Sequence, residues 1–234
     1  MAVPSDSNET FLREVDENLR RDQLRDFARA YGRWIAAAVV LFLAAVGGWI
    51  YWQDQRQRQS AEQSEQLQAI FTDIGEKKLG NVPQRLQALE GSHSDIVRAS
   101  ALLAQGAVAL EANDRKTALA KYRELAADDA IAQVYRDAAT VRATALEFDS
   151  LRPEEVVARL QELAKPGSPW FGSAGEMTAM AYLKQNKRAE AGRLFAAIAA
   201  DKSVPQSIRS RSVQIAGTLG VDASASLPAL EQQD

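Results

Sequence analysis

Residues 106–125, GAVALEANDRKTALAKYREL, read as two helices broken by one turn. Gly106 is a small residue on the first helix, and Asn113 stands in the turn. Ala118, Tyr122 and Leu125 then recur at i, i+4 and i+7, which places them on one face of the second helix. Asn suits a left-handed turn position, where it is the commonest substitute for Gly. Residues 179–195, AMAYLKQNKRAEAGRLF, repeat the arrangement with Ala179, Asn186, Ala191 and Phe195, and Ile198 completes the triplet. Two further triplets are Val82/Leu86/Leu89 and Val156/Leu160/Leu163, with Ile70 and Thr144 at the small position and Pro153 set to open its helix. The first members of the four triplets lie 36, 38 and 35 residues apart. That period, with one long helix before each triplet, is the spacing of helix–turn–helix units stacked into a solenoid.

The small–turn–small–aromatic pattern resembles the tetratricopeptide repeat. The implied fold class is all-α, a single N-terminal transmembrane helix followed by a tetratricopeptide-repeat-like α-solenoid. In that fold the first helix of each unit lines the concave surface. Projecting the register places Leu67, Phe71 and Ile74 there in the first unit and Leu103, Ala107 and Leu110 in the second. Val141, Ala145 and Phe148 follow in the third, and Met180 and Leu183 in the last. These eleven residues are the candidate protein-binding groove. Tight packing, the tail or a second copy are the other ways to cover so apolar a face. Beyond the last unit, residues 205–219 predict one more helix, apolar at Ile208, Ile215 and Leu219, polar elsewhere, and stopped by Gly220. Residues 220–234 (GVDASASLPALEQQD) predict a short disordered tail.

Ahead of the repeats, residues 34–52 (WIAAAVVLFLAAVGGWIYW) carry no charge. As a helix at about 1.5 Å per residue they cover roughly 28 Å, close to the hydrocarbon thickness of a bilayer. Trp34 on one side and Trp49 and Trp52 on the other, with Tyr31 and Tyr51, form the aromatic belts of an interface. A soluble core helix rarely has aromatics at both ends and charge just outside them. A signal peptide fits poorly too, since the run starts late and no small-x-small cleavage site follows. Arg20, Arg21, Arg25, Arg29 and Arg33 precede the run, against Arg56 and Arg58 just after it, so the N-terminus is expected in the cytoplasm and the C-terminal part outside. The expected organisation is a cytoplasmic segment (1–33) with an amphipathic helix capped by Thr10, a span (34–52), a periplasmic repeat domain (53–219) and the tail. The segment 1–33 is read as lying on the inner leaflet or docking a partner. Ala44 and Gly48 form a small-xxx-small pair within the span.

Residues suited to catalysis are scarce. There is no cysteine and one histidine, His93, in a polar loop, so soft-metal sites and Cys/His or Ser/His nucleophile systems lack their raw material. The adjacent carboxylates Asp128/Asp129 and Glu154/Glu155 diverge on a helix and read as first-turn or loop charges. No glycine-rich phosphate loop follows a strand, and no strand is predicted. A net charge of −3 with dispersed Lys and Arg argues against nucleic acid. Neither an enzyme nor a cofactor is expected.

The order of parts resembles one family more closely: FLREVDENLRRDQLRDFARAYGRW, a single span ending GGWIYWQ, ASALLAQGAVALEANDRKTALAKY, an isolated Trp170, then AYLKQNKRAEAGRLF. These stretches look like the YfgM-like ancillary subunits of the bacterial SecYEG translocon. The resemblance implies an inner-membrane protein with a periplasmic repeat domain near the translocon, a PpiD-type membrane-anchored chaperone as partner, and secretory client chains as possible ligands. The alternative is a scaffold for an envelope, division or cell-wall assembly with one fixed partner.

Overall fold

The computed structural model describes residues 6–226, and of residues 6–33, 35, 36, 39 and 226 the backbone alone. Every regular element among them is helical. The chain divides into two units, residues 1–59 and 60–234.

The first unit consists of most of one helix, α1 (Asp6–Gly75), whose remaining turns belong to the second unit. The helix starts ahead of the Thr10 cap expected from sequence; Asp6, Ser7 and Asn8 themselves favour a helix start. Val40, Leu41, Phe42 and Leu43 are all exposed, and four consecutive residues at 100° steps cover every side of a helix. The Trp49 and Trp52 rings lie 5.7 Å apart, and the Arg56 guanidinium sits 3.7 Å over the Trp52 ring. Among the described residues no helix is long and apolar enough to cross a membrane. The stretch 34–52 falls partly outside them, because the side chains of Ile35, Ala36 and Val39 are not among those described. The amphipathic faces expected over residues 9–33 lie outside them altogether.

The second unit pairs residues 60–75 of α1 with α2 (Val82–Ala88), α3 (Asp95–Glu111) with α4 (Arg115–Ala126), α5 (Gln133–Glu147) with α6 (Pro153–Leu160), and α7 (Phe171–Lys184) with α8 (Arg188–Ala200). A ninth helix, α9 (Gln206–Thr218), closes the stack. The triplets read from sequence are the centre of each hairpin: Val82, Leu86, Leu89, Ala118, Tyr122, Leu125, Val156, Leu160, Ala191, Phe195 and Ile198 are buried. Leu163 is only half-buried, because α6 stops at Leu160 and leaves it on a turn. Each apolar cluster mixes one hairpin with the next first helix; Leu67, Ile70, Val82 and Leu86, for example, pack with Val97 and Ala101 of α3. Stability is therefore nearest-neighbour in form, as in any stacked repeat.

Close approach and turn geometry account for the small and turn residues. A Cβ on Gly106 would stand 2.3 Å from Cε1 of Tyr122, so no side chain fits there while the ring stays in place. Asn113 and Asn186 each have φ near 60°. In both turns the N–H of the Asn donates to the carbonyl three residues back, and the next N–H donates five back, which is a Schellman closure. Lys77 (φ 58°) after α1 and Gly220 (φ 83°) after α9 end their helices in the same way. Lys77 carries no sequence signal for this, since a lysine in the left-handed region is uncommon.

The tail expected to be disordered from residue 220 is packed as far as Ala223. Val221 lies against Gly192, where a Cβ would come within 2.8 Å of it, and Ala223 is buried beside α8 and α9. A one-turn 3-10 helix (Ser224–Ser226) follows. The apolar side chains of Val221 and Ala223 outweigh the polar composition around them.

Candidate protein-binding face

The first helices in stacking order are residues 60–75 of α1, then α3, α5 and α7. Steps of 36, 38 and 35 residues carry one structural position along them. Phe71, Ala107, Ala145 and Met180 occupy a single such position, and all four are exposed, Phe71 by 45% and Met180 by 41%. This row is the open line of the face.

The neighbouring rows are wedged between adjacent helices. Ile74, Leu103, Phe148 and Leu183 are half-buried and pack on the cores beside them. Leu110 is 36% exposed. Leu67 and Val141, expected on the face, belong instead to the interior. Each is only 7% exposed, Leu67 against α2 and α3, Val141 against α6 and α7. They sit one helical turn before the open row, where the next first helix covers them.

At the far end the face deepens into a concavity of about 310 Å³ between α5, α7 and α9, lined by Phe148, Met177, Met180, Arg211 and Ile215 among others. Sequence reasoning missed Arg211 and Ile215 as lining residues because α9 was read only as an end helix, and Met177 because it falls outside the projected positions of α7. Arg211 is held by Glu176 through two hydrogen bonds of 2.7 and 2.6 Å. Lys184 lies 4.2 Å over the Phe148 ring. The pocket is thus apolar at its base, with the compensated Arg211–Glu176 pair in its lining. Met177 and Met180 supply flexible, polarizable side chains that adapt to different ligands. Ile96 and Val134, near the starts of α3 and α5, are also exposed and add a second apolar row that the projection did not include.

Among the described residues no cluster of His, Asp or Glu side chains could hold a metal ion. His93 is exposed in the loop before α3, Asp128 pairs with Arg98 at 2.7 Å, and Glu154 and Glu155 occupy the first turn of α6. The most buried carboxylate is Glu147, at the end of α5. It accepts from Arg123 of α4 and, at 2.9 Å, from Arg159 of α6. Burial alone pushes its carboxyl up, but the two guanidiniums outweigh that and hold it below the usual Glu range. This is a structural clamp among three helices.

No curated protein and no solved structure matches the chain. A family model described as a tetratricopeptide repeat-like domain matches residues 25–216. That match covers most of the chain and all four hairpins, so the chain belongs to the tetratricopeptide repeat-like domain family, whose repeats point to a role in binding other proteins.

Proposed function

We propose that this protein is a membrane-anchored repeat protein whose first-helix face receives an apolar segment of another protein. The observation that carries the binding reading is the exposed row Phe71, Ala107, Ala145 and Met180, which continues into the concavity beside Phe148. Phe71 and Met180 are large apolar side chains kept in water, the small Ala107 and Ala145 leave the line between them open, and contiguous apolar surface of this kind marks interaction sites. The anchor is the charge-free stretch 34–52, whose side chains from Val40 to Leu43 are exposed on every side of α1. The excess of Arg before Trp34 supports a cytoplasmic N-terminus and a repeat unit on the other side, the periplasm in a Gram-negative cell.

Within this reading, the likeness to the YfgM-like subunits supports a place beside the SecYEG translocon and a PpiD-type chaperone. A photo-crosslinking residue placed at Ala145 or Met180 in cells tests it. Sec subunits together with many unrelated secretory chains are the expected products. A single stoichiometric partner would replace the translocon role with an envelope scaffold, and no product at either position would overturn the binding face. A reporter active only outside the cytoplasm, fused after Asp234, tests the orientation and should be active.

A further inference from the structure

We propose that Trp49, Trp52 and Arg56 form a site on α1 for the phosphodiester group of one outer-leaflet phospholipid. This site rests on the anchor reading above and concerns the end of the charge-free stretch that leads to the repeat unit. The three residues fall within about 60° of one another around the helix axis, so they make one strip. Trp34 stands 18 residues before Trp52, about five whole turns, and marks the other end of the same strip. At the far end the Trp49 and Trp52 rings are 5.7 Å apart, and the Arg56 guanidinium lies 3.7 Å over the Trp52 ring. Side chains of a helix lean toward its N-terminus, which draws this cation back from its own turn to the level of the ring. Tryptophan at the end of a span sits among the lipid headgroups. The guanidinium is thereby held at the depth of lipid phosphate instead of reaching out into water.

Arg58 supplies the contrast. It lies about 180° around the helix from Trp49, and it is paired with Asp54 at 2.9 Å. Arg56 has no such partner: no carboxylate or carbonyl among the described residues accepts from it, and the Trp52 ring covers one face of its plane. The N–H donors along the edge of that plane stay open. A cation fixed at the end of an apolar stretch takes its counter-charge from its surroundings when the chain provides none. At this depth the surroundings are phospholipid. The two non-ester oxygens of a phosphodiester match two parallel N–H bonds of the guanidinium fork, a geometry that lysine lacks. The acyl chains of the same lipid would lie along Ala45 and Phe42, one and two turns before Trp49 on the strip and both exposed.

The test uses the full chain, extracted in a non-ionic detergent with phosphatidylglycerol added and weighed intact by native mass spectrometry. One retained phosphatidylglycerol per chain is expected, with retention falling roughly fivefold or more in Arg56→Gln and in Trp52→Leu. Arg58→Gln, on the opposite face, should retain as much as the native chain. A diacylglycerol with the same acyl chains has no phosphate, and the native chain should hold it no better than Arg56→Gln does. Equal retention of phosphatidylglycerol by the native chain and Arg56→Gln overturns the proposal, as do equal losses in Arg56→Gln and Arg58→Gln. So does displacement of the lipid by millimolar inorganic phosphate, which would make the ligand a soluble phosphate. Carbonate washing of cell membranes separates this site from the anchor: the native chain and Arg56→Gln should both stay with the membrane. Release of both by the wash overturns the anchor and this site with it, whereas retention of both with equal lipid binding overturns this site alone.

Discussion

The α3–α4 hairpin and the α5–α6 hairpin share a register but are held together by different physics. In the first, Tyr122 fills the space that Gly106 leaves open, and Asn113 closes the turn in the left-handed region. In the second, Thr144 stands where Gly106 does and Leu160 where Tyr122 does, and no residue of the turn has positive φ. There the end of α5 is fixed by Glu147 between two arginines, and Pro153 starts α6. A repeat position thus specifies a place in the stack, and either apolar fit or a charge clamp can occupy it. The two hairpins should therefore fail under different conditions.

The largest expected effect is in the apolar hairpin. Tyr122→Ala removes a buried ring and should cost about 3–5 kcal/mol in urea unfolding. Its cost should be nearly constant between pH 7 and pH 4, because no carboxylate touches the ring in the contacts described. If the loss is under about 1 kcal/mol, the hairpin is not built on that ring.

Replacement of Glu147 comes next and should depend on pH. Glu147→Gln keeps the shape but loses two charge-assisted hydrogen bonds, for a cost of about 1–3 kcal/mol at pH 7. The native carboxyl titrates below its unfolded value. Its stabilisation is therefore complete above the unfolded pKa, about 4.3, and is lost as pH falls through the lower folded value. The stability difference between native and Glu147→Gln chains should shrink across that acid window. A difference that stays flat down to pH 2 would show that the ionised carboxylate of Glu147 is not what stabilises the clamp.

Gly106→Ala sharpens the contrast further. Alanine is the better helix former by about 1 kcal/mol, yet its Cβ would overlap the Tyr122 ring. Overpacking of this kind costs about 1–3 kcal/mol, so the net change should be destabilising. Recovery of the loss in Gly106→Ala/Tyr122→Leu, which imitates the α6 arrangement, would identify the ring as the cause.

Much of this was legible in the chain because a stacked repeat writes each structural position several times. The triplets, the small residue at 106 and the two Asn turns each recur, and a pattern that recurs in phase can be told from chance. The misplaced face residues follow from the same projection: Leu67 and Val141 are apolar like their neighbours, and only the packing angle of the next helix decides which row is covered. Glu147 and the packed Val221 were not legible, since each depends on tertiary contacts that no other repeat copies, and Lys77 closes its helix as Asn113 does but with a residue type that does not signal it.

The smallest effect tests the turn. At Asn113, φ is 60°, where a β-carbon is disfavoured and glycine is not. Asn113→Ala should cost about 1 kcal/mol, the penalty for an L-residue in the left-handed region without Asn's local hydrogen bonding. Asn113→Gly should lie within about 0.5 kcal/mol of the native chain, because relief of strain is offset by the greater freedom of the unfolded chain. The same pair of substitutions at Asn186 should give matching values, since the two turns have the same φ and the same pair of backbone hydrogen bonds. At Ser150, in the turn after α5, glycine should bring no relief, because nothing there is left-handed. Equal responses at Ser150 and Asn113 would mean that the charge-clamped hairpin and the apolar one close by the same turn after all.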